Sequence, residues 1–178
     1  PPGLIRVRGD GYVDASLFSL CAALLEIDLF PEWLPACDEA TVLEEPSRFR
    51  RCLKVSGPKP YPIPRDEIVT EAYGDTCDCA CLIDQTKLKD NNWRPGRGVC
   101  VYMKPGRPSL PRTPGRHQIE LHGGWWFEAV NDSRSRVCMV VKVDPRLRFL
   151  PNWVINWVVK NMVFLIIPMV GAMAKKFE

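Results

Sequence analysis

The sequence predicts an α+β domain in which a curved antiparallel sheet is followed by one long apolar C-terminal helix, an arrangement that can enclose a cavity. Three observations point there. Between Glu39 and Asp144 apolar residues recur with period two, the pattern of half-buried strands. The connecting segments are rich in turn formers, and 17 prolines among 178 residues disfavour a helical bundle. After Pro151 the pattern changes to one long helix running to about Phe177.

The elements follow in order. Leu4–Arg8 alternates weakly and reads as a strand. Asp14 is expected to cap a helix over Leu17–Ile27, and Pro31 to open a short helical turn through Trp33 and Leu34. Phe49, Arg51, Leu53 and Val55 share one strand face. Strands over Arg65–Tyr73, Thr76–Ile83 and Val99–Met103 come next. Ile119, Leu121, Trp125, Phe127 and Ala129 line a longer strand that Gly123-Gly124 allows to bend. Val137, Met139, Val141 and Val143 complete the series. Turn-rich connections make these strands hairpin-linked and antiparallel. On the last helix, Val154, Trp157, Val158, Asn161, Leu165 and Met169 follow one face, and Met162–Ala174 is apolar all round. That run of 13 residues contains Pro168 and is preceded by Lys160. A membrane span needs about 20 apolar residues, so the helix is read as a core or interfacial one.

Composition narrows the function classes. With 46% apolar and 25% charged residues, the chain is expected to fold as a single domain over residues 1–178. A net charge of +3 is too weak to mark a nucleic-acid binder. The first ten residues, PPGLIRVRGD, hold no apolar core of a secretory signal. The eight cysteines sit mostly among apolar neighbours and read as reduced, buried small residues of a cytoplasmic protein. Cys77, Cys79 and Cys81 have period-two spacing. That suits one strand face rather than the C-x2-4-C pairs of a zinc site, so no metal or cofactor is expected.

Four motifs, in order, carry a family resemblance. They are VDAS (Val13–Ser16) leading through a helix to PEWLP (Pro31–Pro35); the triplet Pro64-Arg65-Asp66; HGGWWFEAV (His122–Val130); and VKVDPRLRFLPNWVINWVVKN (Val141–Asn161). Together they resemble a START domain, the steroidogenic acute regulatory protein-related lipid-transfer module of helix-grip fold. The resemblance implies that one lipid or sterol is held in an internal cavity and exchanged between membranes. It also implies transient contact with a membrane surface by a cytoplasmic, peripheral protein. The family's first helix and first strands have no counterpart here, so the chain is expected to lack them and to be part of a longer protein with other domains.

The expected cavity wall is Leu53, Val69, Cys79, Trp125, Phe127 and Val141, closed by Trp157, Asn161 and Leu165 of the last helix. The resemblance further suggests that Arg51 and Glu71 face the cavity as a charge pair that selects the headgroup. The basic loop Lys104–Arg116 is a candidate contact for anionic headgroups, and the stiff Gly57–Pro64 loop a candidate gate. A lipid-sensing or membrane-tethering module is the alternative. An enzyme is not expected, although helix-grip proteins include cyclases: His117 and His122, the two histidines, lie in no recognisable catalytic motif.

Overall fold

The structure is a computed structural model, and it describes residues 5–47, 49–57, 66–76, 98–144 and 151–178. Eight strands form one curved sheet: β1 (Ile5–Val13), β2 (Glu39–Ser47), β3 (Arg50–Ser56), β4 (Asp66–Thr76), β5 (Gly98–Pro105), β6 (His117–Gln118), β7 (Glu120–Asn131) and β8 (Arg134–Asp144). Their order is β1-β8-β7-β5-β4-β3-β2, all antiparallel, with the two-residue β6 lying parallel to β4. Among the described residues three α-helices complete the fold: α1 (Leu17–Leu25), α2 (Phe30–Trp33) and α3 (Asn152–Ala174). The expected strand Thr76–Ile83 beyond Thr76, and the proline-rich gate beyond Gly57, lie outside the described residues.

Consecutive strands β1 and β2 stand at opposite edges of the sheet. The chain between them must therefore cross a sheet face, and it does so as α1, one 3-10 turn and α2. Ser16, not Asp14, caps α1: its Oγ accepts from the Ser19 N–H at 3.0 Å. Both residues suit a cap, but Ser16 stands three positions ahead of the first orphan donor it can reach. β1 runs beyond the alternating Leu4–Arg8 segment to Val13. Its Gly9-Asp10-Gly11 stretch has poor strand propensity, yet it pairs along its length with β8.

The core lies between the concave sheet face and the helices. It gathers Val13, Leu20, Ile27, Phe30, Trp33, Leu53, Trp125, Phe127, Val137, Met139, Val141, Ile167, Val170 and Met173. The C-terminal half of α3 seats on β1 by close approach. A Cβ on Gly171 would stand 2.8 Å from Val13 Cγ1, and one on Gly11 3.0 Å from Ile167 Cγ2. Small residues are required where a helix backbone comes this near a strand. No helix among the described residues is long and apolar enough to cross a membrane.

Candidate functional site

Register decides which side chains line the concave face. Leu53 pairs with Thr70, Arg51 with Ala72, Ala72 with Met103, Val101 with Trp125, and Trp125 with Met139. Directly opposed residues point to the same side. The concave wall therefore runs from Leu53 and Val55 through Ile68, Thr70 and Ala72 to Met103 and Val101, then Trp125 and Phe127, then Val141 and Met139. Trp125 and Phe127 stack with ring centroids 5.9 Å apart and planes at 6°. Four expected wall residues, Leu53, Trp125, Phe127 and Val141, stand on this face and are buried. Val7, Val55, Ala72, Val101, Met103 and Val143 belong to the same face but are only half-buried. They carried a usable signal in the sequence, being register partners or next-but-one neighbours of the buried ones. Cys79 lies outside the described residues.

Val69 and Glu71 sit on the opposite, convex face. Val69 is opposite Lys54, and Glu71 opposite Cys52. The expected pairing of Arg51 with Glu71 does not form, because the two side chains leave the sheet on different sides. Arg51 lies on the concave side and ties down α1: its Nη1 donates to the Leu25 carbonyl at 2.7 Å and its Nε to Glu45 at 3.0 Å. A cation at the last carbonyls of a helix complements the helix dipole.

The convex face is covered in turn by a strap, residues 106–119, which includes most of the basic loop. Leu110 packs with Cys52 and Val69. Gly106 N–H donates to Val69 O at 2.8 Å and Ile119 N–H to Glu67 O at 3.0 Å. Two buried carboxylates of β4 hold the strap and its surroundings. Glu71 accepts from Tyr73 Oη at 2.7 Å, Arg50 at 3.1 Å and the Arg107 N–H at 3.4 Å, with Lys104 Nζ at 3.5 Å. Its carboxyl is held down at about 2, chiefly by the Tyr73 hydroxyl, with burial opposing and Arg50, Arg107 and Lys104 assisting. Burial pushes the Glu67 carboxyl up, but hydrogen bonds from Thr113 and Gln118 outweigh it and leave it below its ordinary value. Arg107 pairs with Glu44, and Arg112 donates to Gln118 and Gly106 O. The cations expected to meet headgroups are thus largely engaged with the protein's own surface.

α3 also turns differently from the expectation. Every α3 side chain described as buried lies between Ile167 and Ala174. Trp157 is 65% exposed, Leu165 is exposed, and Asn161 points outward with its Nδ2 donating to Trp157 O at 2.7 Å. These three side chains do not close over the described core. The reason is that the close seat on β1 lies at the C-terminal end of the helix, where Ile167, Val170, Gly171, Met173 and Ala174 are buried, and the residues before it are left open. Trp153, Phe164 and Met169 are exposed as well.

Of the described thiols, Cys21, Cys37, Cys52 and Cys138 form no disulfide, and the last three of these are buried. Burial, with Asp10 beside it, pushes the Cys138 thiol up to about 11. Among the described residues no group of three His, Cys, Asp or Glu side chains could hold a metal ion. His122 stands opposite Lys142, on the convex side.

No family model matches the chain, and no curated protein does. Solved structures do. Human STARD10 superposes with a TM-score of 0.75 at 14% identity, over 98% of this chain and 64% of that one. This chain carries the START-type helix-grip fold. Human StAR-related lipid transfer protein 5 gives a TM-score of 0.74 at 13% identity, over 99% of this chain and 84% of that one. Zhui aromatase/cyclase from Streptomyces sp. R1128 gives 0.63 at 10%, over 97% and 94%. The START-type fold is thus shared with a lipid transfer protein and with an aromatase/cyclase. The chain spans under two thirds of the human STARD10 chain.

Proposed function

We propose that this domain binds one lipid or sterol between the concave face and the helices and carries it from one membrane to another. The observation that carries the reading is the incomplete burial of the concave wall. Val55, Ala72, Val101 and Met103 stand on the concave face and pack against the core cluster, yet are only half-buried. A folded domain buries such residues against its own side chains unless the space is meant for another molecule. Leu53, Trp125, Phe127 and Val141 would form the packed floor of that space. An apolar ligand there gains about 0.8 kcal/mol for each CH2 taken from water. The likeness to a lipid transfer protein supports the same reading.

The membrane contact is assigned to α3 rather than to the basic loop. Trp153, Trp157, Phe164, Leu165 and Met169 are exposed apolar residues of α3. The charged residues of 152–177 are Lys160, Lys175 and Lys176, all cationic. Lys176 is engaged with Glu32, but exposed aromatic residues with Lys160 among them suit the interface of an anionic bilayer.

Native mass spectrometry of the purified chain, with extraction of any co-purified lipid, tests the ligand. One unmodified lipid per chain is the expected result. A ligand-free protein that takes up no fluorescent lipid from vesicles would defeat the proposal. Steady chemical conversion of the bound molecule would favour the cyclase-like use of this fold, which the aromatase/cyclase likeness keeps in view. Flotation with anionic vesicles tests the contact, and Trp153→Ser with Trp157→Ser should abolish it. Vesicle binding without lipid transfer would mark a tethering module instead.

A further inference from the structure

The strap carries a sequence signal that the lipid-binding reading leaves unused. Thr113 is the sole Ser or Thr in the chain followed directly by proline, and Arg116 stands three positions after it. Thr113-Pro114-Gly115-Arg116 is a closed β-turn: Arg116 N–H donates to Thr113 O at 3.3 Å, and Gly115 takes φ +75°. Proline at the second position and a left-handed glycine at the third are what a type II turn requires. The turn stands at the surface, with Pro114 and Gly115 exposed.

We propose that Thr113 is a phosphorylation site for a proline-directed protein kinase, and that its phosphate unlatches the strap from the convex face. Pro114 lacks an N–H, the property such kinases select after the acceptor, and Arg116 supplies the basic residue that many of them also require. The γ-phosphoryl group of a nucleoside triphosphate would pass to Thr113 Oγ1. The bond to the β-phosphate oxygen breaks, a P–O bond to Oγ1 forms, the hydroxyl proton leaves to a kinase base, and the nucleoside diphosphate departs.

The consequence follows from what Thr113 touches. Its N–H donates to Glu67 Oε1 at 3.1 Å and its hydroxyl bonds the same carboxylate. Glu67 is fully buried, also accepts from Gln118 at 2.9 Å, and has a second oxygen, Oε2, with no hydrogen-bond partner. A phosphate carries about −1.5 to −2 charges near neutral pH and disrupts when set beside a carboxylate. It cannot share the Thr113 position with buried Glu67, so a strap modified while open cannot close again. Opening uncovers the cluster of Cys52, Val69 and Leu110 beneath it.

The experiment uses the purified chain with a proline-directed kinase and MgATP. Phosphosites are mapped by mass spectrometry, and iodoacetamide labelling is followed at Cys52 and Cys138. Both cysteines are buried, but only Cys52 packs with the strap's Leu110. Expected are phosphate on Thr113, none in Thr113→Val, and Cys52 labelling faster by about tenfold or more at an unchanged Cys138 rate, as for a local opening. Phosphate absent from Thr113, or placed on Ser109 instead, overturns the site. Unchanged Cys52 labelling in the phosphorylated chain overturns the unlatching, and so does equal acceleration at both cysteines.

Discussion

Glu71 is the clearest handle on the convex face, through Glu71→Gln combined with acid titration. Its carboxyl lies at about 2 against an ordinary 4.5. At about 1.4 kcal/mol per pH unit that gap is worth about 3 kcal/mol in the limit. Glu71 itself is buried, but the side chains of Arg50 and Lys104 are 39% and 44% exposed. Water screens their attraction, which brings the expected contribution down to about 1–2 kcal/mol. The direction is set by linkage: a carboxylate with a lowered folded-state value stabilises fully above the unfolded value of about 4.5, and that stability fades as pH falls toward 2. Urea unfolding of wild type and Glu71→Gln at steps from pH 7 to pH 2.5 measures it. The difference between the two should be about 1–2 kcal/mol at neutral pH and should close as the pH drops below 4.5. Other carboxylates titrate in both proteins and cancel. A difference that is absent at pH 7, or constant down to pH 2.5, would refute the reasoning.

Three further outcomes are expected. Phe127→Ala removes a fully buried ring stacked on Trp125 and should destabilise by about 3–5 kcal/mol in chemical denaturation; a loss under 1 kcal/mol would mean that the ring lines an empty space instead. Arg51→Ala frees the Leu25 carbonyl and Glu45, and should lower stability by about 1–2 kcal/mol and speed amide exchange in α1 ahead of the sheet. Gly171→Ala drives a methyl to within 2.8 Å of Val13 Cγ1; thermal unfolding should register about 1–3 kcal/mol of overpacking.

Much of the architecture was legible because period and position agree. The alternation of Trp125, Phe127, Met139 and Val141 placed β7 and β8, and their inward side, from the letters alone. β4 was misread by one residue for a physical reason. Ile68, Thr70 and Ala72 face the helices, while Val69, buried on the far side by Leu110, looks equally core-like in the sequence. A sheet covered on both faces loses the polar–apolar alternation that reveals orientation. β2 was not recognised as a strand of its own: it is an edge strand that ends in Glu44-Glu45-Pro46-Ser47, and edges tolerate charge and proline. On α3 the row through Trp157, Asn161 and Leu165 was taken as the inward face from its helical spacing, whereas the seat against β1 is made farther along, by Ile167, Val170, Gly171 and Ala174. Arg51 was placed on the correct face, but its partners, Glu45 and a helix carbonyl, depend on how α1 crosses the sheet, which no local pattern encodes.

The interlock of Gly171 with Val13 and of Ile167 with Gly11 also has a mechanical side. It fastens α3 near one end and makes the helix a lever. From Val170 back to Trp153 the helix extends about 26 Å at 1.5 Å per residue. A tilt of about 10° at the fastening would carry Trp153 roughly 4–5 Å by that geometry. The exposed tryptophans thus sit at the long arm, where a weak pull by a surface acts with the greatest advantage on the seat at β1.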